Sequence, residues 1–125
     1  MTAVFKAEAA FRAQVQTVRT ARDQEYDALA RVTRRLRMAS QTREQDFRQF
    51  AAAVHDNQRL WITFAVDVAD PQNGLPAALR AQILSLADFT RQHSGRILHD
   101  GASVGPLVDI NTAVMRGLSG AGASQ

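Results

Sequence analysis

Between Phe47 and Val68 the large side chains alternate in steps of three and four: Phe47, Phe50, Val54, Asn57, Trp61, Phe64 and Val68. A seam kept over about six turns is the signature of a long helix with one face committed to packing. Thr42-Arg43-Glu44-Gln45 reads as a capping box and predicts that this helix begins at 43. At its far end Pro71 disfavours helical geometry at Asp70, and Asn73-Gly74 supplies residues that tolerate positive φ. Pro76 then suits the first turn of a new helix, where its missing N–H costs nothing. These signals predict a hairpin of two helices, 43–69 and 76–100, joined by a turn in which Asp67, Asp70, Pro71, Asn73 and Pro76 are architectural. Asn57 alone interrupts the seam, as a residue that fixes register or bonds a neighbouring backbone. Leu60, Ile62, Ala65 and Val66 carry apolar surface beyond it, so the helix must touch more than one neighbour or a partner protein.

The remaining segments supply what the hairpin packs against. Tyr26, Leu29, Val32, Leu36 and Ala39 recur at helical spacing between Thr20 and Ser40, with Arg31, Arg34, Arg35 and Arg37 mostly on the opposite faces. Leu79, Ile83, Leu86, Phe89 or Thr90, His93 and Ile97 form the inner face of the second hairpin helix, and Gly101 offers a left-handed cap. Pro106 opens a last helix with Leu107, Ile110, Val114, Met115 and Leu118 as its stripe. Val4, Phe5, Phe11, Val15 and Val18 give residues 1–19 a looser stripe without a cap, consistent with a helix or an arm. Gly117, Gly120 and Gly122 make 119–125 read as a disordered tail. The expected fold is all-α: a small single-domain antiparallel bundle of four to five helices occupying 20–118, with the hairpin at its centre.

A length of 125 residues fits one domain with a modest core, and 46% apolar with 22% charged residues is the profile of a folded chain. Cysteine is absent, which removes disulfide and thiolate chemistry. No apolar run approaches the roughly 18 residues of a membrane span, and the N-terminus lacks the pattern of an export signal. A cytoplasmic location without membrane insertion is therefore the expectation. The net charge of +3 is unevenly placed: residues 1–60 hold 11 basic and 7 acidic side chains, whereas 61–125 hold 4 and 5. That density is far below a nucleic-acid-binding arm, so a solvated helix face is the simpler reading of the arginines.

Reactive constellations are missing. His55, His93 and His99 lack metal-ligand spacing, no HExxH or glycine-rich phosphate loop occurs, and Ser40, Ser85, Ser94 and Ser103 have no evident base. Asp67 and Asp70 at a helix C-terminus oppose the helix dipole and are expected to cap the turn rather than hold a metal ion. Neither an enzymatic activity nor a cofactor is expected, and binding is the remaining class of function.

Leu60-Trp61-x-x-Phe64-x-x-Asp67, running into Asp70-Pro71-x-Asn73-x-Leu75-Pro76-x-x-Leu79-Arg80-Ala81-x-Ile83-x-x-Leu86, closely resembles the FlaF family of bacterial flagellar biosynthesis regulators. Leu107-x-x-Ile110-Asn111-x-x-Val114-Met115-x-Gly117-Leu118 continues the likeness, and Arg22-Asp23-x-Glu25-Tyr26 with Val32-Thr33-Arg34-Arg35-Leu36 resembles the family's first helix. The resemblance covers roughly residues 20–118 and is most specific in the block from Trp61 to Pro76.

The resemblance implies a non-enzymatic protein needed for flagellin production and export, acting as a flagellin chaperone or regulator alongside FlbT. Unassembled flagellin has unstructured terminal segments, and an apolar groove can accept one of them as a helix. Trp61, Phe64, Leu79, Ile83, Ile110 and Met115 are the expected anchors. The alternative is a post-transcriptional regulator that binds flagellin messenger RNA through the arginine-rich helix, or acts through FlbT.

Overall fold

The computed structural model describes the backbone of residues 2–123 and the side chains of residues 6–10 and 23–118. Four α-helices make up the described chain: α1 (Thr2–Gln41), α2 (Phe47–Ala69), α3 (Ala77–Asp100) and α4 (Gly105–Ala123). No strand occurs among the described residues. Short connections make consecutive helices antiparallel neighbours. α2 packs against both α1 and α3, while α4 lies along α1 and touches α3 only lightly. This is the all-α bundle with a central α2–α3 hairpin that the apolar periodicity implies.

No break separates residues 2–19 of the expected N-terminal helix or arm (1–19) from the rest, because α1 is one helix of 40 residues. At 1.5 Å per residue it spans roughly 60 Å, about 25 Å longer than α2. The side chains of the stripe expected from Val4 to Val18 lie outside the described residues. At the other terminus the expected tail at 119–125 is helical in backbone as far as Ala123, and residues 124–125 lie outside the described residues.

The expected start of the hairpin needs correcting. Thr42 does not cap α2: its N–H bonds the carbonyl of Ala39 at 3.2 Å, at the exit from α1, and its carbonyl accepts from Asp46 N–H at 2.9 Å. Asp46 is the N-cap, accepting from Gln49 N–H at 3.0 Å, so the same x-x-Gln spacing operates four residues later. Within this turn Arg43 reaches across to the end of α3. Its guanidinium lies 4.5 Å from the centre of the Phe50 ring and donates to the carbonyls of Ile97 and Ala102. The Ile97 carbonyl lies in the last turn of α3, which Gly101, at φ 75, ends in the left-handed conformation, and Ala102 follows that cap. One arginine thus ties the α1–α2 turn to the α3–α4 turn.

Next to this clamp every helix contributes to one cluster: Leu36 and Ala39 from α1, Phe50, Ala53 and Val54 from α2, Ile97 from α3 and Leu107 from α4. Burying a side chain the size of Leu or Phe contributes about 1.5–3 kcal/mol, so this end carries much of the stability. The opposite end is looser. In α3 only Thr90, Ser94 and Ile97 are buried, all in its second half. Thr90 and Ser94 are small and turn their hydroxyls onto the carbonyls of Leu86 and Thr90, so α2 and α3 can approach closely there without an unpaired hydroxyl.

Candidate functional site

Beyond the apolar cluster the seam of α2 changes character. Asn57 and Trp61, one turn apart, both point at Asn111 of α4. Trp61 Nε1 donates to Asn111 Oδ1 at 2.9 Å, and Asn111 Nδ2 donates to Asn57 Oδ1 at 2.7 Å and to Thr33 Oγ1 of α1 at 3.0 Å. All four residues are buried, so the bonds form where an unpaired polar group would be costly. Asn57 Nδ2 is buried with no protein partner. Turning that amide over would set one NH2 against another, so the orientation follows from the network. Asn57 bonds one side chain of α4, that of Asn111, rather than a neighbouring backbone. Asn111 was not singled out from the sequence for a polar role, although it interrupts the apolar stripe of α4 as Asn57 interrupts that of α2. Two lone asparagines in two facing seams are a signal for a buried pair.

The turn from Asp70 to Pro76 is built by side chains. Asp70 takes the extended conformation that a following proline demands, at φ −67 and ψ 127, and its Oδ1 accepts from Gln72 N–H at 2.9 Å. Asn73 Nδ2 donates to the carbonyl of Asp67 at 3.1 Å, and its Oδ1 accepts from Leu75 N–H at 3.0 Å. Pro76 is the N-cap of α3 and Ala77 its first residue. The expected use of positive φ at Asn73-Gly74 does not occur, because the Asp70 and Asn73 side chains close the turn without it; Gly101 alone has positive φ among the described residues. Asp67 contributes its carbonyl, and no group of three or more His, Asp or Glu among the described residues could hold a metal ion.

Above this turn the hairpin leaves apolar groups in solvent. Leu75 is 38% exposed, Leu79 41%, Leu84 41% and Phe89 43%, although α3 residues further along are fully enclosed. Ile83, Ile110 and Met115 are half-buried. Trp61, expected at the partner surface, is 2% exposed and lies in the core with its N–H engaged, so it acts from beneath the surface. Phe64, half-buried, packs edge-on against it with ring centres 5.4 Å apart. The six expected anchors therefore separate into one core residue, four half-buried residues and one exposed residue, Leu79. Phe89 and Leu84 belong to the exposed set, and Phe89 also stacks on His93, whose Nε2 lies 2.7 Å from the carbonyl of Ser103.

Arg31, Arg34, Arg35 and Arg37 of α1 do not form one stripe. Arg35 is ion-paired with Asp56 of α2, and Arg31 lines the same α1–α2 cleft. Arg34 and Arg37 are exposed and lie outside it. Among the described residues no helix is long and apolar enough to cross a membrane.

The described residues form an all-α bundle built around a central helical hairpin, and that is the class of protein the fold defines. The chain is a member of the FlaF family: the model for flagellar protein FlaF matches residues 7–118, most of its length, and gives it a flagellar role. That match begins within the first half of α1, upstream of the roughly 20–118 legible by eye. No curated protein and no solved structure matches the chain.

Proposed function

We propose that the protein is a cytoplasmic flagellin chaperone and regulator, which holds a segment of unassembled flagellin against the open end of the α2–α3 hairpin and so supports flagellin synthesis and export. The observation that carries this reading is the exposure of Leu75 and Leu79, 38% and 41%, at the end of the hairpin where α3 has no buried residue. Single exposed apolar residues are ordinary, whereas Leu79 and Ile83, one turn apart on α3, with Leu75 in the turn before them, give the open end of the hairpin an apolar line that another apolar face can cover. A flagellin segment entering as an amphipathic helix would lay its i, i+3 and i+4 side chains on them. Ordering that segment is unfavourable, and Leu79 and Ile83 of α3, with Ile110 and Met115 of α4, are the anchors that offset the cost. Trp61 and Phe64 support the surface from below.

Titrating purified monomeric flagellin into the protein by calorimetry tests the reading, with co-elution on a sizing column as a second readout. A stoichiometric complex that persists at moderate salt is expected, because its contacts are apolar. Absence of both heat and co-elution sinks the proposal. Arg34 and Arg37, exposed and without an ion pair among the described residues, support the second reading, a regulator that contacts flagellin messenger RNA. Under that reading affinity for the leader RNA falls steeply with salt. Binding to FlbT with no contact to flagellin would instead make the protein an adaptor.

A further inference from the structure

Along the seam between α1 and α2 lies a surface that the flagellin reading does not use. A cleft of about 300 Å³ opens there, lined by Arg31, Val32 and Arg35 of α1 and by Asp56, Arg59 and Leu60 of α2, among others. Three guanidinium groups and one carboxylate line it. Asp56 Oδ2 is bonded by Arg35, its Oδ1 lies 4.0 Å from Arg59, and Arg31 has no ion pair among the described residues. The cleft is therefore two positive charges in excess, with an apolar floor of Val32 and Leu60. A second recess, of about 310 Å³, continues the line along α2 past His55, Gln58, Arg59 and Ile62.

Beyond Arg59 the same face of α2 turns apolar. Ile62 and Val66 follow it at i+3 and i+7 and are 53% and 67% exposed. From His55 to Val66 the face runs roughly 16 Å, about three helical turns. Arginine forks bind carboxylates in pairs of hydrogen bonds, and a β-branched pair one turn apart matches the apolar edge of a helix. No aromatic side chain lines either recess, so neither offers the ring on which a nucleic-acid base would stack.

We propose that the α1–α2 face docks an amphipathic helix of another protein, placing one or more of its carboxylates between Arg31 and Arg59 and its apolar side chains over Ile62 and Val66. Arg35 and Asp56 stay paired and fix the shape of the cleft. This surface shares no residue with the hairpin end assigned to flagellin, so either assignment can fail alone.

The test is selection of peptides on the full-length protein from a displayed library of amphipathic helices whose polar positions are randomised among Glu, Gln and Lys. Selected peptides should be enriched in Glu one to two turns from an apolar pair. They should lose at least about tenfold in affinity to the Arg31→Glu/Arg59→Glu protein and to Val66→Glu, and bind Leu79→Glu unchanged. Circular dichroism checks that each variant is folded, and Arg31→Gln/Arg59→Gln replaces the double reversal if that variant is not. Selection of no peptide, equal use of Glu and Gln, or undiminished binding to the folded double variant overturns the proposal. So does a single-stranded RNA oligonucleotide that binds the protein and loses that binding in the same variant, which would assign the cleft to nucleic acid.

Discussion

Trp61 of α2 and Asn111 of α4 are joined by a buried hydrogen bond of 2.9 Å, and this bond couples the most distinctive residue of the hairpin to the last helix of the bundle. Because Asn111 also donates to Asn57 and Thr33, a single amide holds α1, α2 and α4 in one relative position. Apolar packing alone tolerates sliding and repacking, whereas a satisfied polar network in a core penalises alternative registers.

Asn111→Ala should therefore be among the most destabilising substitutions in the chain. It leaves Trp61 Nε1, Asn57 Oδ1 and Thr33 Oγ1 without this partner and opens a cavity, at a cost of about 3 kcal/mol or more. Trp61→Phe strands only Asn111 Oδ1 and should cost less. Urea unfolding followed by circular dichroism measures both, and an Asn111→Ala protein within about 0.5 kcal/mol of wild type would refute the hub.

Removal of the Arg43 side chain should loosen the closed end. Arg43→Ala leaves the carbonyls of Ile97 and Ala102 without their donor and uncovers the Phe50 ring, a predicted loss of about 2–3 kcal/mol. Hydrogen exchange should accelerate at residues 101–104 before it does in the middle of α2. Unchanged protection there would show that the two turns are not coupled through this residue.

The position of the helix start can be decided by two single substitutions. Asp46→Ala should destabilise by about 1 kcal/mol through loss of the bond to Gln49 N–H. Thr42→Ala should change stability by less than about 0.5 kcal/mol, since its hydroxyl caps nothing. The reverse order in thermal melts would return the cap to Thr42.

Core and surface roles on the hairpin separate in the same way. Trp61→Ala should lower stability by about 3–5 kcal/mol, as expected for a buried aromatic ring. Leu79→Glu, on the exposed end, should leave the melting temperature nearly unchanged while weakening flagellin binding by about 2 kcal/mol, the scale of an interface hot spot. If Leu79→Glu melts early and binds normally once folded, Leu79 belongs to the core and the surface lies elsewhere.

What the amino-acid sequence by itself determined are the features set by local rules. The 3-4 spacing from Phe47 to Val68 dictated a long helix with one buried face, Pro71 and Pro76 dictated where the chain turns, and Gly101 dictated where α3 ends. The block around Trp61 also made the family recognisable. Tertiary structure decided what depends on residues far apart in the chain. Thr42 and Asp46 each have a Gln three residues on, yet Asp46 is the cap, while Arg43 between them bonds carbonyls of α3 and the following turn more than fifty residues away. Trp61 has the character of an interface anchor, yet Asn111 reaches it from α4 and makes it core. The arginines of α1 read as one basic face until Asp56 of α2 pairs with Arg35, leaving Arg31 in a cleft and Arg34 and Arg37 on open surface. Periodicity reports which side of a helix is apolar; which neighbour arrives there, and with what donor or charge, is set only when the helices pack.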